Sequence, residues 1–169
     1  MIGVKNLTLL LLTLCSSQAL ALNTDSEQPI QISADAGTVN EVAGISTYSG
    51  NVAIDQGSMH IAADEVEVVI IDKRVVKIIA RALPNSEKLA RYEHLPENAE
   101  KPVVAEAKLI TYLASEERLN LSGQARLEQR QGSFSGDLLL YDVNRGIVDI
   151  KSGDHEGDRI KMTISPQRQ

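Results

Sequence analysis

The residues best suited to chemistry are few: three histidines, His60, His94 and His155, and one cysteine, Cys15. A nucleophile needs a base within hydrogen-bond reach, and none of the histidines stands in a recognisable Ser-His or Cys-His setting. His60 alternates with Met59 and Ile61, which reads as the solvent side of a strand. The densest set of ligand-type side chains is "SGDHEGD", residues 152 to 158, with Asp154, His155, Glu156 and Asp158. Its spacing is neither that of a calcium loop nor that of a zinc site, and its two glycines suit a hairpin turn. Glu116 and Glu117 lie in a polar, turn-like run, and no glycine-rich phosphate loop precedes a helix. These residues do not exclude an enzyme, but nothing in their spacing asks for a catalyst, metal or cofactor. A metal-dependent enzyme built on "DHEGD" and an exported β scaffold that binds only protein partners both stay open at this level.

Composition narrows the classes. The chain has 169 residues, 43% apolar, with a formal net charge of -6, enough for one domain with its own core. Only 3% are aromatic, with no Trp and one Phe, so that core must be built from Val, Ile, Leu and Ala. Residues 1 to 21 read as a cleaved signal peptide. Lys5 provides the positive start, "LTLLLLTL" at 7 to 14 the apolar stretch, and "ALA" at 19 to 21 the cleavage site. Eight apolar-rich residues are too few to span a bilayer, which needs about 20. Leu14 before Cys15 does not match the small residue a lipid-attachment site wants. Cleavage after Ala21 leaves a single domain, 22 to 169, without cysteine. Loss of Lys5 leaves 16 basic against 23 acidic residues, net -7, the wrong sign for a nucleic-acid partner.

The elements that must position any site are strands. "PIQISAD" alternates Ile30, Ile32 and Ala34 against polar residues, "YSGNVAID" places Tyr48, Val52 and Ile54 on one face, "MHIAA" adds Met59 and Ile61, and "VEVVI" adds Val66, Val68 and Ile70. Gly50, Gly57 and the Asp64-Glu65 pair read as turns between these runs. Further strand patterns at "VVKIIA", "AEAKLITYL", "RLNLSGQARLEQ", "GSFSGDLLLYDV", "GIVDI" and "RIKMTI" follow at the spacing of an antiparallel meander, sandwich or barrel. "SEKLARYEHL", residues 86 to 95, competes as helix, because Leu89, Tyr92 and Leu95 are three apart; between Pro84 and Pro96 it reads as a connection holding a short strand or one or two helical turns. The chain also repeats. An offset of 73 lays 32 to 68 over 105 to 141, matching Ser49-Gly50 with Ser122-Gly123, Gln56 with Gln129 and Asp64 with Asp137. Turn glycines and apolar parity agree together, which predicts two similar halves stacked end to end.

"QPIQISAD", "TYSGNVAIDQGSMHIAADEVEV" and "LSGQARLEQRQGSFSGDLLLYD", behind a leader, resemble the OstA (LptA) family of periplasmic lipopolysaccharide-transport proteins, over about residues 28 to 164. The connection departs from the family, whose Gly-Lys-Pro-Ala-x-Phe-like segment is replaced by "EKLARYEH", with Ala90 and Tyr92 as the matching positions. The resemblance implies an all-β fold, an open β-jellyroll of stacked antiparallel strands with an apolar interior. It implies a non-enzymatic periplasmic carrier that shields the acyl chains of lipopolysaccharide (lipid A) between inner and outer membrane. Its partners would be an LptC-like inner-membrane component, an LptD-like outer-membrane translocon, and further copies of itself, head to tail. The lipid-facing positions it implies are Ile30, Ile32, Tyr48, Val52, Ile54, Met59, Ile61, Val66 and Val68 in the first half, and Leu121, Leu127, Phe134, Leu139 and Tyr141 in the second. Without the resemblance, the same side chains describe an ordinary sandwich core.

The two ends of the pattern carry a separate expectation. Pro29 and Gln31 flank the first strand, and "DRIKMTISP" ends the pattern with Ile160, Met162 and Ile164 facing one way and Arg159 and Lys161 between them. End strands of an open roll keep unpaired backbone groups, which can accept a neighbour's strand or be guarded against one by charge. No nucleotide site is present, so energy for directional transport must come from elsewhere.

Overall fold

The computed structural model describes residues 28 to 97, 99 to 153 and 159 to 164. Among them the chain forms twelve strands, all paired antiparallel. They are β1 (Gln31–Ser33), β2 (Ala36–Asn40), β3 (Ile45–Gln56), β4 (Met59–Ile71), β5 (Arg74–Arg81), β6 (Ala90–His94), β7 (Val103–Ala107), β8 (Leu109–Leu113), β9 (Arg118–Gln129), β10 (Gly132–Asp142), β11 (Ile147–Lys151) and β12 (Lys161–Ile164). The offset of 73 maps β2 onto β8 and β3 onto β9 end for end. It also carries the registers across: Ile32 pairs with Ile54 as Ala105 pairs with Leu127, and Tyr48 with Val66 as Leu121 with Leu139.

Four long strands, β3, β4, β9 and β10, bend and serve two facing sheets. In β3 and β9 the bend is a bulge that shifts the register: Ser49 to Val52 of β3 stand against Glu65 to Ala63 of β4, and Ser122 to Ala125 of β9 against Leu138 to Gly136 of β10. The bends in β3 and β9 are forced by consecutive left-handed residues, Gly50 and Asn51 in the first half and Gly123 and Gln124 in the second. The Asp35 amide donates to the Gly50 carbonyl at 2.9 Å, and the Lys108 amide to the Gly123 carbonyl at 2.8 Å, again 73 residues apart. Here the structure corrects two expectations. Gly50 and Asp64-Glu65 are not turns; β3 and β4 run straight through them, because a bulge re-aims a strand without ending it. Gly57, by contrast, does sit in the turn between β3 and β4. The stretch that competed as helix contains β6, paired to β4 and β7, so cross-strand bonding decides where the spacing of three was ambiguous.

One sheet holds β2, β5, β8, β11 and the halves of the long strands next to the turns at 41 to 44 and 143 to 146. The other holds β1, β6, β7, β12 and the remaining halves. The sheets are continuous with each other along the bend side. On the opposite side, two rows of turns form two lips.

Candidate functional site

Cross-strand pairing lines up the inward side chains in rows that run the length of the roll. In the second sheet one row reads Ile32, Ile54, Ile61, Tyr92, Ala105, Leu127, Phe134, Met162. In the first sheet two rows read Tyr48, Val66, Ala80, Ile110, Leu121, Leu139, Ile150 and Ser46, Val68, Ile78, Tyr112, Leu119, Tyr141, Val148. None of these residues carries a formal charge at neutral pH. Strand alternation puts the ions outside instead: Arg91 bridges Glu93 and Glu106, each at 2.9 Å, and His60 meets Asp55 at 2.7 Å on the outer face.

The sequence-predicted lining positions all lie on this inner surface. Val52 sits at the bend and Met59 beside a lip; Ile54, Ile61, Val66, Val68, Leu121, Leu127, Leu139 and Tyr141 are buried in the middle. Ile30, Ile32, Tyr48 and Phe134 are only partly buried and pack against that core from towards its ends. The central side chains bury one another, so the interior is closed by its own apolar groups. The predicted end residues are exposed: Pro29, Gln31, Arg159, Ile160, Lys161, Met162 and Ile164, with Met162 at 58% although it belongs to an inward row. The "SGDHEGD" candidate extends into residues 154 to 158, outside the described residues. Among the described residues no three His, Cys, Asp or Glu side chains gather as metal ligands.

Several inward residues were missed from sequence. Ile78, Ala80, Ile110, Tyr112 and Leu119 show the same alternation in "VVKIIA", "LITYL" and "RLNL" and could have been read from it. Tyr92, which the family resemblance matched, and His94 were harder to place inward, because their stretch fitted a helical turn as well as a short strand. They form, with Tyr112, a cluster of rings at mid-length: Tyr92 and His94 centroids are 5.5 Å apart, Tyr92 and Tyr112 5.8 Å. Tyr92 and Tyr112 belong to opposite sheets, so this contact ties the two walls together. Nearby, burial pushes the Tyr141 hydroxyl above its usual range, with the Asp142 charge adding to it, and keeps it a neutral group. Asp142 itself faces outward and is held below the usual carboxylate range by hydrogen bonds from the Arg145 side chain and backbone, with Arg118 adding a smaller share.

Against known proteins, residues 31–147 match the family model described as LptA/(LptD N-terminal domain) LPS transport protein. A Pseudomonas aeruginosa protein named lipopolysaccharide export system protein LptH is 30% identical over 160 residues, 90% of this chain and 88% of its own. Haemophilus influenzae lipopolysaccharide export system protein LptA is 28% identical over 176 residues, 99% of this chain and 95% of its own. The crystal structure of the Pseudomonas protein, described as the LptA-homologous periplasmic component of the lipopolysaccharide transport device, superposes with a TM-score of 0.76 at 27% identity, over 85% of this chain and 100% of that one. The antiparallel strand pattern, the uncharged inner rows and these matches agree: this chain belongs to the LptA/LptD N-terminal domain family of lipopolysaccharide transport proteins.

Proposed function

We propose that this protein is a periplasmic carrier that holds the acyl chains of lipopolysaccharide against its inner rows and passes them along a bridge of copies from the inner to the outer membrane. The observation that carries this reading is the continuity of the uncharged rows through every strand pair. Eight strands with seven spacings of about 4.8 Å give a row of roughly 34 Å, comparable to the hydrocarbon thickness of a bilayer. Each CH₂ kept from water contributes about 0.8 kcal/mol, so the rows stabilise a multiply acylated lipid without any chemical step. Because the inner side chains lie against each other, loading parts the sheets on the lip side, with the bends at Gly50-Asn51 and Gly123-Gln124 as the hinge. The lining positions are those named above, from Ile30 and Ile32 to Leu139 and Tyr141. The domain is residues 22 to 169, after removal of the leader.

The repeat also supplies the geometry of the bridge. Within the chain, the halves are joined by β6 with β7 and β5 with β8. The counterparts of β7 and β8, 73 residues back, are β1 and β2; those of β6 and β5 are β12 and β11, which pair with β10 as β6 and β5 pair with β4, here at an offset of 70. Between copies, β12 therefore pairs with β1 and β11 with β2. Met162 comes opposite Ile32, as Tyr92 stands opposite Ala105, and Val148 opposite Val39, as Ile78 stands opposite Tyr112. Related end strands on an LptC-like inner-membrane protein and an LptD-like translocon complete the bridge.

The test is Ile32→Asp in the purified mature protein. Ile32 is partly buried at the end of its row, so the variant stays folded by circular dichroism, yet binding of purified lipopolysaccharide drops by more than tenfold. A folded variant that binds as the wild type does would sink the internal-channel reading.

A further inference from the structure

The two lips of the roll differ in chemistry. In the first sheet, the last inward residues before the turns are Ile70, Val75, Ala114 and Val143, apolar side chains packed against the core. The tyrosines Tyr112 and Tyr141 of that sheet sit one step deeper and are buried. In the second sheet the corresponding row is polar at every other strand or so. Gln56 pairs with Met59, and Met59 stands one step beyond the His60 and Glu93 pair, opposite His94. His94 pairs with Val103, and Val103 stands one step beyond the Val104 and Glu128 pair, opposite Gln129. Gln56, His94 and Gln129 thus form an inward polar seam along one lip, next to the fully apolar row that contains Ile61 and Leu127.

The two glutamines are repeat counterparts, 73 residues apart, but their amides differ. Gln56 Nε2 donates to the Gln28 carbonyl at 3.0 Å. Gln129 Nε2 is buried and finds no acceptor among the described residues. A buried donor without an acceptor costs free energy that an apolar residue of the same size would not, so its presence on an otherwise apolar wall points to a ligand acceptor.

Resting on the carrier reading above, we propose that the seam is the headgroup side of the conduit. The side chains of Gln129, His94 and Gln56 hydrogen-bond the ester and amide carbonyls and the sugar hydroxyls where acyl chains meet the saccharide, while the Ile70 and Val143 lip covers hydrocarbon. An amphipathic cargo is thereby held in one rotational orientation about the roll axis as it moves.

A photo-crosslinking phenylalanine analogue is placed at Gln129, at Val143 and at Leu127 in turn, in the mature protein loaded with purified lipopolysaccharide. After irradiation, mild alkaline hydrolysis cleaves the ester-linked acyl chains from the sugar and leaves the amide-linked ones attached. Every adduct at position 129 retains saccharide mass, whereas adducts at 143 include products that carry an acyl chain without sugar. The same adduct at both lips, or the reverse assignment, overturns the proposal while leaving the carrier intact. No adduct even at Leu127 removes the carrier reading and the seam with it. In addition, Gln129→Leu weakens lipopolysaccharide binding by about 3- to 10-fold, the effect of one lost hydrogen bond, with binding of the apolar dye N-phenylnaphthylamine unchanged. Wild-type lipopolysaccharide affinity in that variant also overturns it.

Discussion

The joint between the two repeats and the free ends of the roll occupy equivalent places in the chain, and their side chains have diverged. At the joint, Tyr92, His94 and Tyr112 are buried and in ring contact across the two walls. Their counterparts at the ends are Met162, Ile164 and Val39, all aliphatic or thioether and all more than half exposed. On the outer face, Arg91 ties β6 to Glu106 of β7, whereas the equivalent end positions are Lys161 and Ser33, which make no carboxylate bridge between them. A permanent joint can use rigid rings and a partly shielded ion pair, since it forms once, on folding. Ends that join copies, as in the bridge proposed above, would leave exposed only what water tolerates for a time, and flexible apolar side chains would adapt to a neighbour without fixed geometry.

The comparison breaks first under a buried charge. Ala105, fully buried opposite Tyr92 at the joint, and Ile32, its counterpart at the end, face the same way. Ala105→Asp places a carboxylate where nothing neutralises it, a cost of several kcal/mol that leaves the protein unfolded or molten in urea titration. Ile32→Asp costs less, because Ile32 is only partly buried and its replacement reaches water at the end of the row. Equal destabilisation of the two variants would mean that the ends are as closed as the joint.

Next in size is a test of register. Cys15 is the one cysteine of the sequence, so in protein produced from residue 22 onward Ile32→Cys with Met162→Cys introduces the sole thiols. If copies pair as the repeats do, mild oxidation yields a ladder of linked dimers, trimers and higher forms, while Ser33→Cys with Met162→Cys, one residue out of step and on opposite faces, yields little. A ladder of equal strength from both pairs would remove the repeat as the template for the bridge.

Inward parity of Ile54, Ile61, Leu121 and Leu127 was legible because alternation is a local signal, and the offset of 73 was legible because both halves kept their bend residues. Whether Gly50 ends a strand or bends it was not, since a glycine with positive φ serves either purpose and only the partner strand decides. Nor was the polar seam, whose members Gln56, His94 and Gln129 are scattered over 73 residues and become neighbours only through pairing of five strands. His94 was doubly hidden, lying in a stretch whose apolar spacing imitated a helix.

The smallest expected effect concerns a single backbone position where the repeats disagree. Gly44 takes φ +66, and its carbonyl accepts from Ile70; 73 residues on, Glu117 takes φ 49, and its carbonyl accepts from Val143 at 2.9 Å. The backbone demand is the same, but the second copy meets it with a residue that has a Cβ. A side chain in this left-handed region costs about 1 to 2 kcal/mol, while glycine raises the entropy of the unfolded chain by about 0.4 to 1 kcal/mol. Glu117→Gly therefore stabilises the fold slightly, by no more than about 1 kcal/mol, read as a small upward shift of the urea midpoint. Gly44→Ala goes the other way and further, because its Cβ would also run into the Ile70 carbonyl oxygen. If Glu117→Gly lowers the midpoint instead, the glutamate makes a contribution at this turn that outweighs its backbone strain, and the repeats differ there by selection of the side chain, not by tolerance of it.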